Sequence, residues 1–369
     1  MSGPYTLGLQ DCAGKLDLVG GKCQSLGDLI AAGLPVPPGF AITTHAFQAH
    51  LAHGDVRKDI QDRLSGLDHR DTAALDAASA ALRREIETLP LPAEVEQAIR
   101  AAYRELCTSV GAPDLPVAVR SSATAEDLPG ASFAGQQDTY LWVIGEGAVV
   151  ERARQCWGSQ YTARAIAYRC DQGFAHEDVS MAVAVQKMVN SKVSGVAMTL
   201  NPANGDRSKI VIDASYGLGE TVVSGEVTPD NYCLDKVMLS TVKQTIGDKH
   251  VELVPDHAGG KAVLREVSPE RQAQPSLSPD ELRAVATIAK RAEAHFRCPQ
   301  DIEWAIDADL PDGENLLLLQ SRPETVWSQK PRTPAVSGAQ AGMAGILGTL
   351  LRPMQVKTDP SSTPEGGTK

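Results

Sequence analysis

The stretch "VAVRSSATAEDLPGASFAGQQDTYLWV", residues 117–143, places an arginine and two serines directly after an apolar run, and a second apolar run after a glycine-containing loop. "DTYLWV" alternates as a half-buried strand does. The stretch therefore reads as strand, loop, strand. Arg120 ends the first strand and is followed by Ser121, Ser122 and Thr124. A guanidinium at a strand end can fork two oxygens of a phosphate. The loop from Leu128 to Gly135 can fold down over phosphates and exclude water. A hairpin tip carrying an exposed salt bridge is the plainer alternative.

Upstream, "DLVGGKCQSLGDLIAAGLPVPPGF", residues 17–40, holds a glycine pair, Lys22 and a helical pattern. Leu26, Leu29 and Ile30 fall on one face, Gly33 suits the position just past the helix end, and the prolines beyond it stop the helix. Glycines admit a close backbone approach, and helix-start N–H groups favour anions, so Lys22 is a candidate phosphate contact. A Walker A loop is excluded, because Leu16 and Cys23 stand where it needs Gly and Ser or Thr. A solvated lysine on a surface turn competes with this reading.

Residues 55–110 read as solvated helices without chemistry, and a helix is expected over roughly 147–170. "VSMAVAVQKMV", residues 179–189, suits a buried strand, and 190–270 is mostly β in pattern. Ser278, Pro279 and Glu281 spell a capping box that opens a helix. "DIEWAID" and "NLLLLQSRP" follow as a hairpin joined by "ADLPDGE". Alternation puts Ile302, Trp304 and Ile306 on one face and Asp301, Glu303 and Asp307 on the other. Gln320 and Arg322 likewise share a face. If the strands pair antiparallel, two carboxylates, an amide oxygen and a guanidinium converge. Hard oxygens beside an arginine suit a magnesium-triphosphate site. Cross-strand charge pairing, worth ~0.2–1 kcal/mol per pair, is the structural alternative. "GLGETVVSGEVTPDN", residues 217–231, fails as a dinucleotide fingerprint because Val222 replaces the third glycine, which leaves Glu220 as a bare candidate.

Of the 369 residues, 42% are hydrophobic and 22% charged, enough for a substantial core. The net charge of −11 argues against non-specific nucleic-acid or anionic-membrane binding, so any phosphate site is local. Seven scattered cysteines without a CxxC pair read as reduced thiols, and no N-terminal signal pattern or long apolar run is present. A soluble cytoplasmic protein is expected. None of the eight histidines lies in a setting that exposes a phosphorylatable imidazole.

Together "VGGKCQSLGDL", "PVAVRSSATAEDLPGASFAGQQDTYL", "GVAMTLNP", "DIEWAID" and "LLQSRP" resemble the N-terminal nucleotide-binding domain of the phosphoenolpyruvate synthase, pyruvate phosphate dikinase and rifampicin phosphotransferase family, over residues 5–327. The resemblance implies an α+β ATP-grasp fold of two lobes, 1–187 (with a helical subdomain at about 45–110) and 188–327, followed by a flexible tail at 328–369. It implies ATP and Mg2+ as ligands, with ATP cleaved to AMP and the β,γ-phosphates passed to a histidine. Lys22 and Arg120 should hold phosphates; Gly135, Gln136 and Thr139 should cap them; Gln186 should lie near adenine. Glu303 and Gln320 should bind the metal with Asp301 in support, and Arg322 should clamp the transferring groups.

Full-length relatives continue into a phosphohistidine domain and an acceptor domain. A free-standing chain of this size resembles the ATP-binding subunit of phenylphosphate synthase, whose histidine lies on a partner subunit and whose acceptor is phenol. That reading leads. A nucleotide-binding fragment of a phosphoenolpyruvate synthase or an antibiotic phosphotransferase stands second. A regulatory ATP-binding module without catalysis stands third.

Overall fold

The computed structural model describes residues 3–124, 138–176, 179–256 and 259–327. The protein is a mixed helix-and-sheet fold with two main sheets. The first is built from β1 (Thr6–Gly8), β2 (Gly39–Ile42), β3 (Val117–Ala123), β4 (Thr139–Val143) and β5 (Met181–Lys187), in the order β1-β2-β5-β3-β4. Every pairing in it is antiparallel. β5 is central and buried along nearly its whole length, as a continuous apolar run requires. Helix α1 (Leu16–Ala31) precedes β2. Then come α2 (Thr44–Ala52), α3 (Val56–Leu64), α4 (Thr72–Thr88) and α5 (Ala93–Val110), and, after β4, α6 (Glu146–Ser159) and α7 (Ala163–Gln172). The helix expected at 147–170 is two helices. The chain breaks at 160–162, and Thr162 caps the second segment by accepting from the Ala165 N–H at 3.2 Å.

The second sheet contains β6 (Ser191–Met198), β7 (Lys209–Tyr216), β8 (Asp230–Asp235), β9 (Thr241–Thr245), β12 (Gln300–Asp307) and β13 (Leu316–Pro323), in the order β13-β12-β6-β7-β8-β9. A separate hairpin, β10 (Val251–Asp256) and β11 (Lys261–Glu266), and the short helices α8 (Glu220–Val223) and α9 (Pro269–Gln272) fill the connections. Helix α10 (Pro279–Phe296) covers this sheet. Its capping box is complete: Ser278 Oγ accepts from the Glu281 N–H at 3.3 Å, and Glu281 Oε2 accepts from the Ser278 N–H at 2.8 Å.

Two apolar clusters hold these layers. One packs the first sheet against α2–α6 around Trp157, Phe47 and Tyr103. The other packs the second sheet against α10 around Trp304, and it takes in Leu26 and Leu29 of α1, from the start of the chain. α1 thus carries the backbone near Lys22 to both sheets. It ends as predicted, with Gly33 at φ 66° and hydrogen bonds from Gly33 N to Ile30 O and from Leu34 N to Leu29 O. This is the Schellman pattern.

Among the described residues no helix is long and apolar enough to cross a membrane, and all seven cysteines are free. The tail at 328–369 lies outside the described residues.

Candidate functional site

Gly20 has φ 71° and ψ 172°, which interrupts α1, and the helix resumes immediately before Lys22. The break is caused by β3. A Cβ on Gly20 would stand 1.9 Å from the Ser122 carbonyl oxygen, so only glycine fits. Ser122 fills the gap: its hydroxyl donates to the Val19 carbonyl at 2.8 Å and accepts from the Cys23 N–H at 3.1 Å. The glycine pair and the serine after Arg120 are therefore one device, which fixes Lys22 and Arg120 relative to each other.

The hairpin at the other end of the sequence pairs as its alternation predicts, Asp301 opposite Arg322 and Glu303 opposite Gln320. A β-bulge follows at once, since Trp304 pairs with Leu318 and Leu319 has no partner in the ladder. Arg120 meets this hairpin. Its Nη2 donates to Glu303 Oε2 at 2.8 Å and to Gln320 Oε1 at 2.7 Å, and its Nη1 donates to the bulge carbonyl of Leu319 at 3.2 Å. Among the described residues Arg120 Nε is buried without an acceptor. A second bulge, at Lys192 of β6 opposite Ile306 and Asp307, shifts the register between β6 and β12. Asp307 is buried with its carboxylate 3.5 Å from Nζ of Lys187, which lines the same cavity as Glu303.

A cavity of about 150 Å³ lies between the two sheets. Arg120, Thr139, Gln186 and Glu303 all line it. Gln320 reaches it through its hydrogen bond to Arg120. Lys22 and Arg322 act on Glu303 by charge. Burial pushes the Glu303 carboxyl up, but Arg120, then Lys22 and Arg322, outweigh it and hold the group below the usual carboxylate range. Asp301 behaves oppositely. Burial raises it, and Arg322, 3.9 Å away, only partly offsets this. Gly135 and Gln136 lie outside the described residues.

The cavity also has walls that the sequence does not single out. Met188 and Val189, just past β5, and Leu218 close its apolar side, and Glu220 stands at the start of α8. Glu220 was the one candidate in the 217–231 stretch. The signal for the apolar walls was the continuation of the run "QKMV" past the end of β5.

Chemically, two hard oxygen ligands converge on a single cationic nitrogen, with a buried guanidinium N–H that lacks an acceptor among the described residues beside them. That donor set fits Mg2+, which takes one or two protein oxygens and completes its shell from phosphates and water. The orphaned N–H fits a phosphate oxygen. Among the described residues no cluster of three His, Cys, Asp or Glu side chains forms a metal cage.

Residues 16–342 match the family described as "Pyruvate phosphate dikinase, AMP/ATP-binding domain", and the chain belongs to it. It is 45% identical over 332 residues to a probable phosphoenolpyruvate synthase of Staphylothermus marinus, a match covering 84% of this chain and 40% of that protein. It is 47% identical over 310 residues to the probable phosphoenolpyruvate synthase of Archaeoglobus fulgidus (84% and 40%). It is 43% identical over 343 residues to the phosphoenolpyruvate synthase of Aeropyrum pernix (85% and 41%). The chain thus spans about 40% of the length of these relatives. A crystal structure of a D-cycloserine synthetase aligns at 13% identity and a TM-score of 0.24, covering 80% of this chain and 59% of that one. None of these names supports phenol as the acceptor.

Proposed function

We propose that this chain is the ATP-binding part of a dikinase-type phosphotransferase. Residues 1–187 and 188–327 are then the two lobes of an ATP-grasp fold, and the cavity between the sheets is the nucleotide cleft. The observation that carries this is the Arg120 guanidinium, held by Glu303 and Gln320 at 2.8 and 2.7 Å. It joins the basic end of the sequence to the acidic-amide end at one point.

Adenine lies toward Gln186, Met188 and Val189, and the phosphates point to Arg120. Arg120 then exchanges its carboxylate and amide acceptors for phosphate oxygens, and its Nε gains the acceptor that it lacks. Lys22 adds a second positive charge, Thr139 borders the phosphates, and Arg322, anchored toward Asp301, clamps the transferring end. Glu303 and Gln320, once released, hold Mg2+, which when bound neutralises charge on the phosphates. The residues contribute mainly position and electrostatics, which phosphoryl transfer requires.

The acceptor is a histidine on a partner domain or subunit. Its ring nitrogen attacks the β-phosphorus, the P–O bond to the α-phosphate breaks, AMP leaves, and a pyrophosphohistidine remains. Water removes the terminal phosphoryl as inorganic phosphate. The remaining phosphohistidine passes its phosphoryl to the final acceptor. A phosphoenolpyruvate-forming reaction, for which the relatives are named, is the outcome we favour over phenol phosphorylation.

The test combines this chain with the histidine-bearing remainder of a relative, Mg-ATP, and pyruvate or phenol. AMP with phosphoenolpyruvate is the expected product pair. ADP as the nucleotide product contradicts the proposal. Phenylphosphate in the phenol arm replaces the acceptor assignment while keeping the ATP chemistry.

A further inference from the structure

Helix α8 turns one face to the cavity between the sheets. Glu220 and Val223, one helical turn apart, both line that cavity, while Thr221 between them is buried. Both lining side chains are exposed, and Val223 keeps 64% of its surface open to solvent. A carboxylate and a bare valine thus stand side by side on one wall. The phosphate and metal contacts proposed above use neither.

The register of the second sheet sets where along the cavity this wall stands. Glu303 of β12 lies opposite Val196 of β6, and Tyr216, the last residue of β7, lies opposite Val193. The end of β7 is therefore offset from Glu303 along β6 by roughly 10 Å, at the rise of a β-strand. The offset runs toward Ser191, the first residue of β6, and so toward Met188 and Val189. α8 leaves the sheet at the apolar end of the cavity, away from the Glu303–Gln320 pair. The turn that carries it is fixed. Ser194 Oγ donates to the Gly217 carbonyl at 2.6 Å, the Gly217 N–H donates to the Lys192 carbonyl at 3.2 Å, and the Leu218 N–H donates to the Leu253 carbonyl at 2.8 Å. Gly217 has φ 74°, and a Cβ there would stand 2.4 Å from the Leu253 carbonyl oxygen, so the turn needs glycine.

In a nucleoside triphosphate the ribose lies between the base and the phosphates. One edge of it carries two neighbouring hydroxyl donors, and its ring carries C–H groups. The two oxygens of a carboxylate suit such a pair of hydroxyls, as acidic residues do in dinucleotide-binding folds, and a valine suits the C–H surface. We infer that, with this cavity as the nucleotide cleft proposed above, Glu220 accepts from the ribose 2′- and 3′-hydroxyls and Val223 covers the sugar. α8 is then the element that selects ribonucleotides over deoxyribonucleotides.

The test titrates Mg-ATP and Mg-2′-deoxy-ATP into the full chain and into Glu220→Ala by calorimetry. Wild type is expected to bind ATP tighter than 2′-deoxy-ATP by about tenfold or more, the scale of one hydrogen bond to a charged group. Glu220→Ala is expected to bind the two nucleotides alike and to keep the wild-type unfolding midpoint, because the side chain is exposed. If the midpoint shifts, Glu220→Gln, which keeps the side chain's size, decides by the same ratio, which is expected to fall. An ATP preference that is absent in wild type, or unchanged in the variant, overturns the inference. So does an equal loss of both nucleotides in Glu220→Ala, which assigns the carboxylate to the metal or the phosphates. A wild-type chain that binds no Mg-ATP defeats the cleft reading and this inference together. Saturable Mg-ATP binding that Arg120→Ala weakens, with the sugar preference unmoved in Glu220→Ala, defeats this inference alone.

Discussion

The Lys249–Asp230 and Arg120–Glu303 pairs both set a cation against a carboxylate, and they are built differently. Lys249 and Asp230 are both fully buried. The Lys249 ammonium donates to Asp230 Oδ1 at 2.5 Å and to the Gly247 and Gln272 carbonyls at 3.1 and 2.9 Å. The Asp230 carboxylate also accepts from the Gly247 and Ser276 N–H groups and the Tyr232 hydroxyl. Arg120 and Glu303 instead border a cavity, remain partly exposed, and leave one guanidinium N–H without an acceptor among the described residues. The satisfied, sealed pair ties β8 to the segment before β10, to the end of α9 and to Ser276 ahead of α10. The incomplete pair has acceptors that a nucleotide can displace. Identical charges therefore serve structure in one place and recognition in the other, and the state of their remaining hydrogen bonds separates the two cases.

The largest break in this contrast is Asp230→Ala. It strands a buried ammonium and is expected to cost about 3–5 kcal/mol in denaturant unfolding, with Asp230→Ala/Lys249→Met recovering part of the loss. Arg120→Ala should behave in the opposite way. It is expected to retain the wild-type unfolding midpoint within about 1 kcal/mol, as for a partly exposed pair, while weakening Mg-ATP about 100-fold, the scale of losing a charge-assisted contact. In the same variant free Mg2+ should bind more tightly than to wild type, because Glu303 and Gln320 are released; calorimetry reads both ligands.

Gly20→Ala lies between these classes. The new methyl meets the Ser122 carbonyl and the residue is held at positive φ, so about 2 kcal/mol of stability should be lost. ATP affinity should fall with it, since the same contact sets Lys22. Ser278→Ala is the smallest, about 1 kcal/mol by thermal unfolding. It carries a pH signature. Burial opposes ionisation of Glu281, but Lys192 and Ser278 together hold its carboxyl below the ordinary range. A depressed folded-state value means the stabilisation is present above the unfolded carboxylate range near ~4.3. It is lost as pH falls through the folded value. Ser278→Ala should flatten that acid-side loss.

Much of this was legible in the sequence because it is local. The 301/303 and 320/322 alternation predicts which side chains meet once the strands pair, and the capping box at Ser278 needs only four residues. What was hidden is set by distant backbone. The bulge that frees the Leu319 carbonyl leaves no mark in "LLLLQSRP", where every register looks equally apolar. The break between α6 and α7 is masked because Trp157 and Tyr161 carry the apolar pattern through it. Glu220 reaches the cavity only because β7 and α8 bring it there.

The central claim is that a nucleotide displaces Arg120 from Glu303 and Gln320. Isothermal titration of Mg-ATP into wild type and Glu303→Gln tests it most directly. Saturable binding to wild type, weakened at least tenfold in a variant with an unchanged unfolding midpoint, is the predicted result. Equal affinity in the two proteins contradicts it.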